Sequence, residues 1–223
     1  MFLICHPLDQ QEQDIDNRIK GEYVKTLLRT GEEPITAYAF AADLGIEEDD
    51  FYSRYNSFRA LEKEIWKDIF GYVNAAISAD EEFSSYSGKD KALSFFYTLV
   101  EVYKQNRSLV LFRLSGLPRH NTDPWFLEKL KEQYLLLIAD LLSEAIEKEE
   151  VMARPFISDY YKDALWIQFL YISRVWANDD SEEFQITDAA IEKSVNLIFE
   201  LMRKGPVDLV IDFAKFAYQN KAY

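Results

Sequence analysis

The stretch ITAYAFAADLGIEEDDFYSRYNSFRALEKEIW, residues 35–66, decides the fold of this chain. It carries the signals of a short helix, a tight turn, a second short helix and the start of a long helix. Thr36 can cap the first helix, and Gly45 supplies the positive φ angle that a tight turn between helices needs. Ser57 can cap the long helix, in which apolar residues recur every four positions from Leu61 onward. Together these signals predict three helices in close succession.

The helical pattern extends in both directions from this stretch. A preceding helix is predicted from about Asp14 to Thr30, with Gly31 ending it, and the second short helix is predicted over about Glu47–Tyr55. With 7 Gly and 6 Pro in 223 residues, the chain has too few turn formers for a β-rich fold. The chain is therefore predicted to be all-α. Helical spacing of apolar residues predicts further helices over residues 90–105, 124–148, 160–176, 187–203 and 207–219.

Composition excludes several classes of function. No run approaches 18 apolar residues, and the opening residues lack the basic start of a secretory signal, so we expect a cytoplasmic protein without integral membrane insertion. The single cysteine excludes an intramolecular disulfide, and two histidines leave no Cys/His zinc site. No nucleophile with its base, phosphate loop or telling carboxylate pair is visible. We therefore expect neither an enzyme nor a bound metal or cofactor.

The charge of the chain argues against polyanionic partners. The sequence has 25 Lys and Arg against 39 Asp and Glu, a net charge of −14. Residues 1–60 hold 6 basic and 12 acidic side chains, so the first quarter is the more acidic part. Such a chain is repelled at long range by nucleic acids and by anionic membranes.

Two neighbouring helices have more apolar surface than one core requires. Tyr160–Trp176 carries large apolar or aromatic side chains on nearly every side, and Thr187–Arg203 carries two apolar stripes. This pattern indicates a subunit interface, although central helices of a large bundle look the same. The helix over residues 207–219 is apolar except for one stripe, and its Asp208 and Asp212 are balanced by Lys215 and the nearby Lys221. We expect it to dock on the protein body rather than on a membrane.

The opening stretch resembles the DNA-binding unit of the TetR family of transcriptional regulators, over roughly residues 15–75. The resemblance implies a three-helix helix-turn-helix unit, residues 1–57, and a C-terminal helical-bundle body, residues 58–223, for ligand binding and dimerisation. It further implies a homodimer built on the last two body helices, here Tyr160–Trp176 and Thr187–Arg203, and duplex DNA as partner. The residues that carry the resemblance are Thr36, Phe40, Ala41, Gly45, Ile46, Tyr52, Tyr55 and Leu61.

The recognition-helix region departs from the family pattern in its charge. Glu47, Glu48, Asp49 and Asp50 stand where members commonly have Ser or Thr, Lys and small residues, and Phe58 stands where they have Lys. Carboxylates repel phosphates, although at a helix N-terminus they also favour the helix dipole and Glu47 or Asp49 can cap the helix. We therefore expect weakened DNA binding. The residues predicted to face DNA are Thr36, Glu48, Asp50, Tyr52, Arg54 and Arg59.

Aromatic density in the body predicts a hydrophobic pocket within the helices that enclose the family's ligand site. Core packing would explain each aromatic residue equally well. The leading interpretation is a TetR-like homodimeric regulator with a hydrophobic small-molecule ligand. The alternative is a lipid- or isoprenoid-binding, or partner-binding, protein on the same fold that does not bind DNA. The residues predicted to line the pocket are Phe96, Tyr103, Phe112, Arg113, Trp125, Tyr134, Trp166 and Phe169.

Overall fold

The computed structural model describes residues 7–154, 157–203 and 205–219, and within these ranges the chain is all-α, as predicted. Single 3₁₀ turns precede several of the helices. The α-helices are α1 (Pro7–Thr30), α2 (Ala37–Leu44), α3 (Glu48–Tyr52), α4 (Phe58–Ser78), α5 (Gly88–Gln105), α6 (Arg107–Leu114), α7 (Glu128–Glu147), α8 (Tyr161–Ala177), α9 (Gln185–Met202) and α10 (Pro206–Gln219).

The caps predicted from the opening stretch are confirmed. The Thr36 hydroxyl accepts the Ala39 N–H at 3.1 Å, and the Ser57 hydroxyl accepts the Ala60 N–H at 3.1 Å. Gly45 ends α2 with a φ of 66°, a conformation that side chains disfavour. These local contacts fix the ends of the first helices without help from the body.

Several predicted helix boundaries differ from those of the structure, and one helix was not predicted. α1 is already helical at Pro7, seven residues before its predicted start at Asp14. α3 ends at Tyr52 instead of Tyr55, since Ser53 and Arg54 both donate to the Asp50 carbonyl, at 3.0 and 2.8 Å. The short helix α6 directly follows α5 and carries no separate sequence signal.

One apolar core runs through the described residues, and α4 lies at its centre. α4 packs against α5 and α7, while α8 packs against α9. α1 contacts both α4 and α6, so the first helix joins the small N-terminal helices to the body. No helix in the described part of the chain is apolar over the length that a bilayer crossing needs.

Candidate functional site

An open groove lies on the N-terminal face, between the α1–α2 loop, α3 and the start of α4. It has a volume of about 750 Å³. Two apolar side chains beside it, Ile35 and Tyr38, are largely exposed. The groove brings together four of the six residues predicted to face DNA, namely Thr36, Glu48, Tyr52 and Arg59.

The other two residues predicted to face DNA turn toward their own helix. Asp50 accepts the N–H of Glu47 at 3.1 Å, and the two residues form a capping box at the start of α3. The expectation that these acids cap the helix is thus confirmed at Glu47 and not at Asp49. Arg54 donates to the backbone carbonyl of Asp50.

Four cations of the N-terminal helices, Arg18, Lys20, Arg54 and Arg59, are each engaged by their own chain. Each contact uses part of the donor capacity that a phosphate would otherwise take. Within the described residues, no ion pair neutralises Glu47, Glu48 or Asp49. The charged residues that line the groove are Glu33, Glu48 and Arg59. The contacts are Arg18 with the Leu44 carbonyl (2.7 Å), Lys20 with Asp16 (2.6 Å) and Asp68 (2.7 Å), Arg54 with the Asp50 carbonyl (2.8 Å), and Arg59 with Glu33 (4.0 Å) and the Trp125 ring (5.2 Å).

Phe58, at the position where the sequence resemblance implies a lysine, belongs to an aromatic cluster. Its ring centroid lies 5.0 Å from that of Phe51, 5.3 Å from that of Phe40 and 5.9 Å from that of Tyr23. Aromatic pairs at these separations stabilise a core beyond their buried area. The side chain at this position therefore holds α1, α2, α3 and α4 together.

A buried ion pair lies at the joint between the N-terminal helices and the body. Glu62 on α4 is fully buried and accepts two hydrogen bonds from Arg113 on α6, at 2.6 and 2.5 Å. The hydroxyl of Tyr23 on α1 donates to the same carboxylate at 2.6 Å. Burial opposes the charge of Arg113, but its bonds to Glu62 outweigh this and raise the pKa of Arg113. Burial, reinforced by the Glu62 charge, raises the pKa of Tyr23.

Sequence reasoning placed Arg113 in the ligand pocket and did not single out Glu62. The structure places Arg113 against Glu62 and between the rings of Phe112 and Trp125, at 5.1 and 5.4 Å. A signal was present, because Glu62 interrupts the buried apolar face of α4 that includes Leu61 and Ile65. A carboxylate within such a stripe requires a buried partner.

The remaining predicted pocket residues lie in different surroundings. Phe112 is exposed, and Trp125 lies over the guanidinium groups of the joint. Tyr103 and Trp166 are buried and hydrogen-bonded, to the Ser173 hydroxyl at 3.0 Å and to the Thr122 carbonyl at 2.9 Å. Phe169 is buried and stacks on Trp166.

Phe96 and Tyr134, the other two predicted pocket residues, line a small cavity between α5 and α7. The cavity has a volume of about 150 Å³ and a mostly apolar wall. Phe95 also lines it, and Lys91 and Glu144 form an ion pair in its wall. The sequence did not indicate the two charged residues, because they lie 53 positions apart and meet only in the folded chain.

A larger apolar groove lies open between α8 and α9, the two helices predicted to form a subunit interface. It has a volume of about 840 Å³. Apart from the partly buried Ile198, its large apolar side chains are about half exposed in the single chain, which is unusual for a monomeric surface. Those lining it are Ile167, Tyr171, Ile186, Leu197 and Ile198.

Gln168 lies in the wall of this groove with an incompletely satisfied amide. Its side chain is 3% exposed, and its Nε2 donates to the Ser194 hydroxyl at 3.0 Å. Its Oε1 has no hydrogen-bond partner in the part of the chain that the structure describes. A buried acceptor without a donor is unfavourable, so this oxygen lowers the stability of the groove wall in the single chain.

The described residues contain no group of three or more His, Cys, Asp or Glu side chains arranged to hold a metal ion.

Comparison with known families identifies the body. Residues 91–217, more than half of the chain, match the family model described as tetracyclin repressor-like, C-terminal domain. The chain belongs to this family, whose members are the TetR-like regulators. No curated protein matches the sequence.

Proposed function

We propose that this TetR-like regulator is a homodimer that controls transcription in response to a small apolar molecule. Residues 1–57 form a helix-turn-helix unit that meets duplex DNA weakly. Residues 58–223 bind the ligand and form the dimer. The observation that carries the proposal is the position of α4, which contacts both the N-terminal aromatic cluster and the wall of the enclosed cavity.

α4 connects the ligand cavity directly to the N-terminal helices. At its start, Phe58 packs among the rings of α2 and α3. Three turns later Phe70 contacts Phe95, with ring centroids 6.1 Å apart, and Phe95 lines the cavity. A ligand that displaces Phe95 therefore pushes on α4 and changes the spacing of the two N-terminal units in the dimer.

The size and lining of the cavity limit the ligand. A dry apolar cavity of roughly 150 Å³ is large enough for benzene. This cavity, of about 150 Å³, thus suits a single aromatic ring or a short branched hydrocarbon with few polar groups. Ala92→Leu would fill it and should abolish binding of such a probe. Leu136→Ala, at an exposed position on α7, is the matched control.

The α8–α9 groove supports the dimer in this proposal. Two copies that pair through it would cover its exposed apolar side chains, and a two-fold contact buries the same surface twice. Leu197→Glu should therefore convert the protein to a folded monomer, measured by sedimentation velocity.

DNA binding is tested by fluorescence anisotropy with duplex fragments from upstream of the chain's own gene, at two salt concentrations. The informative variant is Glu48→Lys with Asp49→Lys, which leaves the Asp50 cap of α3 intact. Each new phosphate contact should steepen the log–log salt dependence by about 0.9. We expect weak binding of the wild type and at least tenfold tighter binding of the variant at low salt.

The matched control is Glu132→Lys with Glu147→Lys, which makes the same change in net charge on exposed positions of α7. If it strengthens binding equally, the gain reflects net charge alone and not a DNA-facing surface. If neither the wild type nor the Glu48 and Asp49 variant binds any fragment while remaining dimeric, the DNA-binding part of the proposal is wrong.

A second candidate function is a lipid- or partner-binding protein that has lost DNA contact. It is favoured by the un-neutralised acids of the N-terminal face beside the exposed Ile35 and Tyr38. An isoprenoid chain exceeds the enclosed cavity and would have to occupy the α8–α9 groove, which a dimer covers. Native mass spectrometry distinguishes the two candidate functions. A lipid-binding protein should appear as a monomer with bound lipid, whereas the proposed regulator should appear as a dimer without lipid.

A further inference from the structure

An open groove lies between the C-terminal part of α8 and the loop that follows α6. It has a volume of about 850 Å³. Part of its lining is apolar, and the side chains of Ile167 and Tyr171 are each nearly half exposed there. Two arginines, Arg119 and Arg174, also line it. The cavity between α5 and α7 and the α8–α9 groove are each lined by a lysine but by no arginine of the described residues.

Arg174 brings the two arginines together. From α8, its Nη2 donates to the backbone carbonyls of Pro118 and Asn121, at 3.2 and 2.5 Å. These two carbonyls lie on either side of Arg119 in the chain, so the loop that carries Arg119 is bound directly to Arg174. The groove therefore has two guanidinium groups at one end of α8.

Neither arginine is neutralised by a carboxylate within the part of the chain that the structure describes. The guanidinium of Arg113 pairs with Glu62, whereas Arg174 has no ion pair and its Nε is buried without a partner. Only burial therefore acts on this guanidinium, and it lowers the pKa of Arg174. A partly buried cation without a counter-ion is unfavourable, so an anion that reaches it would stabilise the groove.

Asp179 is the one acidic residue among the described lining of the groove, and its carboxylate is already occupied. Each of its two oxygens accepts two hydrogen bonds from Ser181 or Thr187, at 2.5 to 2.9 Å. The lining thus has two arginines against one aspartate, a balance of +1, in a chain of net charge −14. More distant carboxylates matter less to a bound ion, because salt screens exposed charges beyond about 8 Å at physiological ionic strength.

We propose that this groove binds a small aromatic carboxylate. The carboxylate pairs with Arg119 and Arg174, since guanidinium and carboxylate groups are planar and match each other with two parallel hydrogen bonds. The aromatic ring packs against Tyr171 and Ile167. A doubly charged phosphate fits less well, because Asp179 lines the same groove. The site is separate from the cavity between α5 and α7, so this inference does not depend on the ligand proposed above.

The position of the arginines favours a free ligand over an acidic side chain of a second copy. The groove shares four residues with the α8–α9 groove that is proposed to form the dimer, but Arg119 and Arg174 line this groove alone. The two cations therefore lie beside the proposed dimer surface and not within it.

Isothermal titration calorimetry with 2-naphthoate tests the inference. Its two fused rings exceed the single ring that suits the cavity between α5 and α7. We expect one binding site per chain. Naphthalene-2-carboxamide, which has nearly the same shape without the charge, should bind roughly tenfold more weakly, because it cannot form charge-assisted hydrogen bonds with the arginines.

Variants of the two arginines locate the site. Arg119→Gln, at an exposed position, should weaken binding of 2-naphthoate roughly tenfold. Arg174→Lys keeps the charge but loses the planar donor pair and should also weaken binding. Arg29→Gln makes the same change in net charge as Arg119→Gln on an exposed residue of α1, so it is the matched control and should bind like the wild type. Ala92→Leu, which fills the cavity between α5 and α7, should also bind like the wild type.

Several outcomes would overturn the inference. One is absence of binding of 2-naphthoate to the folded wild type at millimolar concentration. Equal binding of the carboxamide would mean that the carboxylate is not recognised. Unchanged binding in Arg119→Gln, or loss of binding in Ala92→Leu, would mean that the probe binds elsewhere. An affinity that falls as the protein concentration rises would mean that a second copy fills the groove.

Discussion

Two buried carboxylates in the described part of the chain are stabilised in opposite ways. Glu62, at the joint, receives the full positive charge of Arg113. Asp179, in the turn before α9, has no cationic partner among the described residues and accepts four hydrogen bonds from Ser181 and Thr187, at 2.5 to 2.9 Å. The joint therefore depends on a charge pair between distant segments, whereas the edge of the proposed dimer surface depends on a turn that closes locally.

This difference has a structural consequence for each region. Arg113 lies 51 residues from Glu62, so the joint forms only when α1, α4 and α6 have assembled. The donors to Asp179 lie within eight residues, and they hold a turn in which Glu183 and Phe184 adopt positive φ angles of 52° and 62°. Such angles are unfavourable for side chains larger than Gly, so the bonds to Asp179 offset local strain.

The largest loss of folding stability is expected at the joint between the N-terminal helices and the body. Arg113→Leu leaves Glu62 buried without its cation, and removal of one partner of a buried pair typically costs about 3–5 kcal/mol. Tyr23→Phe, which removes one hydrogen bond and keeps the pair, should cost only about 1 kcal/mol. Urea unfolding of both variants measures the difference. A loss below 1 kcal/mol for Arg113→Leu would show that the carboxylate does not depend on its cation.

Asp179 is expected to make a smaller contribution to folding stability, and this contribution should depend on pH. Burial opposes its charge, but the bonds from Ser181 and Thr187 outweigh burial and lower the pKa of Asp179 to about 2. A lowered pKa contributes stability that is complete above the unfolded value of about 4 and is lost as the pH falls toward 2. Allowing for solvent near this turn, the contribution is about 1–2 kcal/mol.

Asp179→Asn tests this directly. The variant should be less stable than wild type at pH 7, and the gap should narrow as the pH falls from 4 to 2, since the wild type loses its own contribution there. Urea unfolding at pH 7, 4 and 3 gives the comparison. A gap that stays constant over this range would mean that Asp179 is not held by its charge.

The smallest effect is expected at Asp208, a carboxylate that is paired like Glu62 but partly exposed. Asp208→Asn weakens its bonds to Arg154 and should lower the free energy of unfolding by no more than about 1 kcal/mol. The protection of backbone amides in α10 against hydrogen exchange should change more than the global stability. The reason is that Asp208 also accepts the Gly205 N–H at 2.8 Å and helps to fix the base of α10. Hydrogen exchange should therefore accelerate in α10 and remain unchanged in α5, which serves as the internal control.

Local chemistry explains which parts of the fold were predictable. Thr36, Gly45 and Ser57 act within three residues of themselves, so their roles can be derived from the sequence. The end of α3 could not be derived from the sequence, because the Arg54 side chain ends the helix at a point where the apolar pattern continues to Tyr55. α6 follows α5 after a single residue, Asn106, and periodicity alone does not separate the two.

The site was predictable only in part, for a different reason. Phe96 and Phe169 are equally aromatic and equally buried, yet only Phe96 lines the cavity. A sequence shows which side chains are apolar but not which pairs of them leave space between them. The same holds for Glu62 and Arg113, whose pairing depends on how α4 and α6 approach each other.

The packing of the partly buried Phe58 restricts which side chains this position accepts. Phe58→Lys would bring in the cation that the sequence resemblance implies here, but it would remove the ring that contacts Phe40, Phe51 and Tyr23. The lysine would therefore weaken the packing of the N-terminal helices. For the DNA contact proposed above, a cation can be added without this loss at exposed neighbours such as Ser53 and Asn56.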